Sequence, residues 1–127
     1  MNKPCILVVD DELLIRDLLY DFFTGQGWDI AVAEDGERAL DMLRSRKFDL
    51  VLSDIRMPQM DGLALNTHVK EELPGLPVVL MTGYPSVETA VSALRGKVDD
   101  YIIKPFNINQ LYKLVEAKVK AKPRERA

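Results

Sequence analysis

The sequence of 127 residues predicts a doubly wound α/β fold, a five-stranded parallel sheet with helices on both faces. Three observations carry that prediction. Short apolar, partly β-branched runs alternate strictly with segments whose apolar residues recur at helical spacing, five times along the chain. The central run, Leu50-Val51-Leu52, has the composition of a strand buried on both faces. Two runs stop abruptly at acidic groups, Ile6 to Val9 at Asp10-Asp11-Glu12 and Leu50 to Ser53 at Asp54. In open α/β sheets, ligands bind at the carboxyl ends of the strands.

Each element has its own signal. The first strand runs from Cys5 to Val9, and Leu13, Leu14, Leu18, Leu19, Phe22 and Phe23 then mark a helix that Gly25 and Gly27 end. Trp28 to Ala33 reads as the second strand, Asp35-Gly36 as a turn, and Ala39, Leu40 and Leu43 as the second helix. Phe48 to Ser53 is the third strand, and Leu63, Leu65 and Val69 support a helix that ends before Pro74-Gly75. Pro77 to Thr82 is the fourth strand. Ser86 suits the N-cap of a helix carrying Val87, Ala90, Val91 and Leu94. Asp100 to Ile103 is the fifth strand, and Leu111, Leu114, Val115 and Val119 line the last helix. Crossovers are expected to be right-handed.

Composition narrows the function. A 47% hydrophobic fraction supplies a core for one domain, and a formal net charge of −3 gives no general attraction for nucleic acid or membranes. No apolar run approaches the ~18 residues of a membrane span, and no export signal is visible. Cys5 is the single cysteine and reads as a small buried hydrophobe at the start of a strand. A reducing, cytoplasmic setting is expected.

Four strand ends carry chemistry. The first offers Asp10 and Asp11, the third Asp54, the fourth Thr82 and the fifth Lys104. Carboxylates pooled this closely repel one another unless a cation neutralises them. Mg²⁺ takes oxygen ligands and is typically held by one or two carboxylates plus phosphate oxygens. Lysine binds phosphate as a point charge. The set suits phosphoryl transfer onto a carboxylate.

Taken in order, Ile6-Leu7-Val8-Val9-Asp10-Asp11-Glu12, Asp54 with Met57-Pro58 and Asp61-Gly62, Met81-Thr82-Gly83, and Asp100-Tyr101 with Lys104-Pro105-Phe106 resemble the receiver domain of two-component response regulators. The resemblance runs from about Lys3 to Val119. It implies a flavodoxin-like sheet of order 2-1-3-4-5. It implies that Asp54 accepts a phosphoryl group from the phosphohistidine of a sensor histidine kinase or a histidine phosphotransfer protein. Asp11, assisted by Asp10, would hold Mg²⁺ beside Asp54 and the backbone carbonyl of Arg56. Lys104 would pair with the acyl phosphate, Thr82 would hydrogen-bond a phosphoryl oxygen, and Tyr101 would move with Thr82. The peptide bond before Pro105 would be cis. The state would be read on the face formed by the fourth helix, fifth strand and fifth helix, by an output domain or protein or through a phosphorylation-dependent homodimer. Such a domain modifies itself and turns over no external substrate, so it is not an enzyme in the ordinary sense. It would bind neither nucleic acid nor membrane directly. Arg56 and Tyr84 would border the path of the hydrolysing water and lengthen the phosphoryl lifetime.

The resemblance implies a receiver domain over residues 1–121, with 122–127 a flexible tail or the start of a linker. The segment Met81 to Thr89 leans towards receivers attached to AAA+ transcriptional activators. One departure stands out. A typical receiver reads Ala-Gly-Ala where this chain has Gly96-Lys97-Val98, so the glycine that would cap the fourth helix in a left-handed conformation sits one residue early. That leaves the length of the helix open, and its end is expected to be less ordered than the sheet.

Plainer readings stand beside these. Asp10-Asp11 could serve only as an N-cap and acidic first turn. Thr82 could be a structural β-branched residue, and Tyr101 an aromatic packed on a strand. His68, the single histidine, reads as a half-exposed helix residue, and the lysines near the C-terminus as a solvated face. Among other functions, an interaction module that signals without phosphate would not need Asp11, Asp54, Thr82 and Lys104 together. An aspartyl phosphatase of the haloacid-dehalogenase type needs a second Asp where this chain has Arg56. A flavin phosphate would want Ser, Thr and Gly donors where the first loop is acidic, and no Walker-type glycine-rich loop is present.

Overall fold

A computed structural model describes residues 3–121. Residues 122–127, expected as a tail or linker, and Pro123 within them lie outside the described residues. Five strands, β1 (Cys5–Val9), β2 (Asp29–Ala33), β3 (Leu50–Asp54), β4 (Val78–Thr82) and β5 (Asp100–Ile103), alternate with five helices. These are α1 (Leu13–Gly25), α2 (Gly36–Ser45), α3 (Gly62–Glu72), α4 (Val87–Arg95) and α5 (Ile108–Lys120). All strand pairs are parallel and the order is β2-β1-β3-β4-β5, as expected. None of the described helices is long and apolar enough to cross a membrane.

The alternation of side chains along a strand divides the core into two. Leu7, Val9, Val51, Val78 and Leu80 face one layer with Ala39, Leu43, Leu65 and Val69 of α2 and α3. Ile6, Val8, Leu50, Leu52, Val79 and Met81 face the other, with Leu19, Phe23, Leu111 and Val115 of α1 and α5. Every residue of β3 and β4 is buried. On the second face Phe22, Phe23, Trp28 and Tyr112 form an aromatic cluster, in which the Trp28 indole N–H donates to the Tyr112 hydroxyl at 3.2 Å.

Several details differ from the sequence reading. Asp35-Gly36 is not a free turn, because the Asp35 carboxylate caps α2 by accepting from the Arg38 amide at 2.8 Å. Leu13, Leu14 and Leu18 share the helical spacing of α1 yet are exposed, and only Leu19 and Phe23 of that helix are fully buried. Val87, Val91 and Leu94 of α4 are exposed as well. Cys5 is half-buried, not fully buried, and its Sγ accepts from the Arg46 guanidinium at 3.3 Å. Lys97 adopts φ +60°, so a lysine occupies the left-handed position just beyond the Gly96 C-cap.

Candidate functional site

The sheet register gathers the chemistry-bearing residues. Val9 pairs with Ser53, and Asp54 pairs with Met81, so Asp10, Asp54 and Thr82 end three adjacent strands at one level. The Lys104 amide donates to the Thr82 carbonyl at 2.8 Å, which brings the end of β5 into the same row. The Lys104–Pro105 peptide bond is cis. Gly62 lets α3 approach from below, since a Cβ there would overlap the Asp54 carbonyl oxygen, and its amide donates to the Ile55 carbonyl at 2.8 Å.

Carboxylate oxygens of Asp10, Asp11 and Asp54 lie within 4.8 Å of one another. Asp10 is fully buried, Asp54 is 6% exposed and Asp11 faces solvent. Neither Asp10 nor Asp11 is the N-cap of α1. That position is Glu12, whose amide donates to Asp10 Oδ1 at 2.9 Å. The Arg16 guanidinium donates to the Asp10 carbonyl at 2.8 Å and ties α1 to the loop.

Lys104 Nζ lies 2.8 Å from Asp10 Oδ2, 3.5 Å from Asp54 Oδ1 and 3.6 Å from Glu12 Oε1. In this state the ammonium bonds chiefly to Asp10. Burial works to lower the Lys104 pKa, but the hydrogen bond and charge of Asp10, with Asp54 and Glu12, leave it raised. The Asp54 carboxyl is pushed up to about 6, first by burial and then by the Asp10 charge, with Lys104 opposing both. Three anionic groups around one ammonium leave uncompensated negative charge. An all-oxygen set of this kind, with one member open to solvent, fits a hard divalent cation.

The remaining expected residues surround this cluster. Thr82 is buried, and its Oγ1 accepts from the Tyr84 amide at 3.0 Å. Tyr101 is half-buried, and its hydroxyl lies 3.0 Å from Thr89 Oγ1 of α4, so the ring is engaged by α4. Arg56, exposed in the loop after β3, stacks its guanidinium 4.6 Å from the ring centroid of Tyr84. His68 sits half-exposed on α3, near Glu72 and away from the cluster. Sequence reasoning missed Arg16, Thr89 and Asn66. Thr89 follows Ser86 at capping-box spacing, and Asn66 interrupts the apolar row of Leu63 and Val69 on α3; both were visible signals.

Comparisons with known proteins agree with this geometry. The family model described as the response regulator receiver domain matches residues 6–116. The transcriptional regulatory protein ZraR of Escherichia coli O157:H7 is 45% identical over 111 residues, 87% of this chain and 25% of that protein. The DNA-binding transcriptional regulator NtrC of Escherichia coli K12 is 42% identical over 116 residues, 91% of this chain and 25% of that protein. The chain thus spans about a quarter of the length of these curated relatives. Among solved structures, a CheY-like receiver domain protein from Methanospirillum hungatei JF-1 superposes with a TM-score of 0.93 at 30% identity, covering 98% of this chain and 99% of that one. The response regulator TrrA from Thermotoga maritima, solved in complex with Mg(2+)-BeF, superposes with a TM-score of 0.83 at 35% identity, covering 91% and 98%. A family match across most of the chain, on a sheet of the expected order, establishes that this chain belongs to the response regulator receiver domain family of two-component systems.

Proposed function

We propose that the chain is a phosphorylation-driven switch in which Asp54 accepts a phosphoryl group from the phosphohistidine of a sensor histidine kinase or a histidine phosphotransfer protein. One observation carries the reading: a buried carboxylate ends the central strand with Lys104 at 3.5 Å and two further carboxylates within 4.8 Å. An Asp54 carboxylate oxygen attacks phosphorus, the phosphorus–nitrogen bond breaks, and the electron pair leaves with the imidazole. Asp10, Asp11, Asp54 and the backbone carbonyl of Arg56 would hold Mg²⁺, which when bound offsets the charge on the transferring phosphoryl oxygens. Lys104, freed from part of its bond to Asp10, supplies its ammonium to the acyl phosphate. Thr82 has a hydroxyl at the adjacent strand end to donate to a phosphoryl oxygen.

The same reading extends outward. Thr82 and Tyr101 carry the state to the face of α4, β5 and α5, where an output domain or protein, or a second copy, reads it. No external substrate is turned over, and the site of action is the cytoplasm. Residues 1–121 are proposed as the receiver domain, with 122–127 a tail or the start of a linker. The regulator names of the relatives support transcription as the output of a longer protein. The test is incubation with Mg²⁺ and a small phosphodonor, followed by mapping of the adduct by mass spectrometry. The adduct is expected on Asp54 and absent from Asp54→Asn; phosphate elsewhere with Asp54 free would sink the assignment.

A further inference from the structure

The fourth helix is attached to the molecule in an unusual way. Its apolar residues point outward, with Val87 82% and Leu94 77% exposed, and of its nine residues only Ala93 is fully buried. Little apolar packing therefore holds it, and two polar ties stand out. At its first turn, Thr89 Oγ1 meets the Tyr101 hydroxyl at 3.0 Å. At its far end, the carboxamide of Asn66 on α3 donates to the Gly96 carbonyl at 2.7 Å, across 30 residues of sequence.

The second tie accounts for the departure at Gly96-Lys97-Val98. Asn66 is 1% exposed, so its side chain has no freedom to withdraw into solvent. A Cβ on residue 96 would stand 2.9 Å from Asn66 Nδ2. Gly96 has φ −78°, a right-handed value open to any residue, so it is the neighbour and not the backbone that favours glycine here: a Cβ would force the Asn66 carboxamide to shift. Lys97 then takes the left-handed turn at φ +60° that a glycine at its own position would have taken freely. The Gly96 carbonyl is one of the groups that a helix end leaves without an intrahelical partner, and Asn66 supplies one.

We propose that the Asn66–Gly96 bond is the pivot of α4: it fixes the C-terminal end of the helix, so that the switch moves the N-terminal end alone. The two ties differ in kind. The Thr89–Tyr101 pair joins two hydroxyls, half-exposed and able to re-form with other partners. The Asn66–Gly96 bond is part-buried, but its donor side chain is fully buried on α3, which packs on the sheet through Leu65 and Val69. A helix released at one end and pinned at the other swings through an angle and does not slide. The pin thereby sets which outward residues move furthest: Tyr84 and Val87 more than Leu94. This rests on the phosphoryl-acceptor reading for what triggers the motion, and adds where the motion is centred.

The test is residue-resolved hydrogen exchange on the full chain with Mg²⁺, with and without beryllofluoride, in wild type, Asn66→Ala and Gly96→Ala. In wild type, beryllofluoride is expected to change exchange across residues 84–90 by about tenfold or more while residues 96–98 stay within about twofold. In Asn66→Ala, residues 96–98 exchange about five- to tenfold faster without any ligand, and the beryllofluoride response spreads over the whole helix. Gly96→Ala gives the sharper sign test. Alanine is the better helix former, so local propensity alone predicts slower exchange at the helix end. The pin predicts faster exchange, because the new methyl displaces the carboxamide. Wild-type residues 96–98 responding as strongly as 84–90, or slower exchange in Gly96→Ala, would overturn the pivot. Beryllofluoride changing nothing anywhere would instead overturn the phosphoryl-acceptor reading, and the ligand-free comparison of the three proteins would still report on the pin.

Discussion

Asp54 is held ionised at neutral pH against both burial and the charge of Asp10, and pH exposes that opposition. Its carboxyl titrates near 6 in the folded chain against 3.8 for the free side chain. Between those values the folded state binds more protons than the unfolded one, so stability falls as pH rises from about 4 to 6 and stays lower above. Asp54→Asn removes the charge at constant shape. In metal-free buffer it should be more stable than wild type by about 1–3 kcal/mol at pH 7, and the gap should close near pH 4. Denaturant melts at both pH values measure this, and a pH-independent difference would contradict it. A second prediction concerns Arg56 and Tyr84, whose side chains touch. A stacked guanidinium is worth about 0.5–1 kcal/mol at an exposed site. We propose that together the pair screens one side of the acyl phosphate from water. Phospho-Asp54 should decay about two- to fivefold faster in Arg56→Asn and in Tyr84→Ala. The double mutant should add less than both singles combined, because each loss already breaks the stack. Unchanged decay in both single mutants would remove them from the shield.

Among the elements, helix ends show what sequence can and cannot specify. Asp35 and Ser86 stand at N-caps, each accepting from the amide three residues on. Asp35→Ala should cost about 1 kcal/mol, a fall of about 3–5 °C in Tm, with no change in phosphorylation, because the Asp35 carboxylate caps α2 and is not one of the carboxylates of the acidic cluster. A scanning melt and a phosphorylation assay run together check both halves of that statement. Ser86 was readable as a cap because its signal is local. The outward apolar residues of α1 and α4 were not readable. Spacing reveals that a helix has an apolar face, but not whether another layer covers it. Leu13, Leu14, Val87 and Leu94 follow the helical period and remain in solvent. The Asn66–Gly96 bond was beyond reach for a different reason: its partners are 30 residues apart, and only the fold brings them together. The misplaced glycine was visible in the sequence, while its cause was not.

For the molecule as a whole, four strand ends converge on one acidic cluster, and that convergence was readable in the sequence because each of those four runs ended in a chemically distinctive residue. The finer partnership of Lys104 with Asp10 was not, since residue types alone do not decide which of two carboxylates an ammonium prefers. The cluster couples metal to global stability. A ligand that binds only the folded state stabilises it by about 2.7 kcal/mol at a hundredfold excess over Kd. Mg²⁺ should therefore raise the Tm of wild type and leave Asp11→Ala almost unmoved. A calorimetric scan with and without Mg²⁺ decides this, and equal shifts in the two proteins would place the metal elsewhere.

The single tryptophan adds a practical corollary. Trp28 lies just before β2, at the amino ends of the strands, packed against Phe23 and Tyr112. Asp54 lies at the carboxyl end of β3, and by the sheet register six residue steps at about 3.3 Å each separate the two levels by roughly 20 Å. The indole is therefore out of direct contact with the acidic cluster, and it senses that end of the sheet only through any movement of Tyr112 on α5. Its emission should change little on direct metal binding and sharply when the aromatic cluster opens on unfolding. Unfolding can thus be read from the indole in the same cuvette in which occupancy is followed by another signal, such as a label near Tyr84.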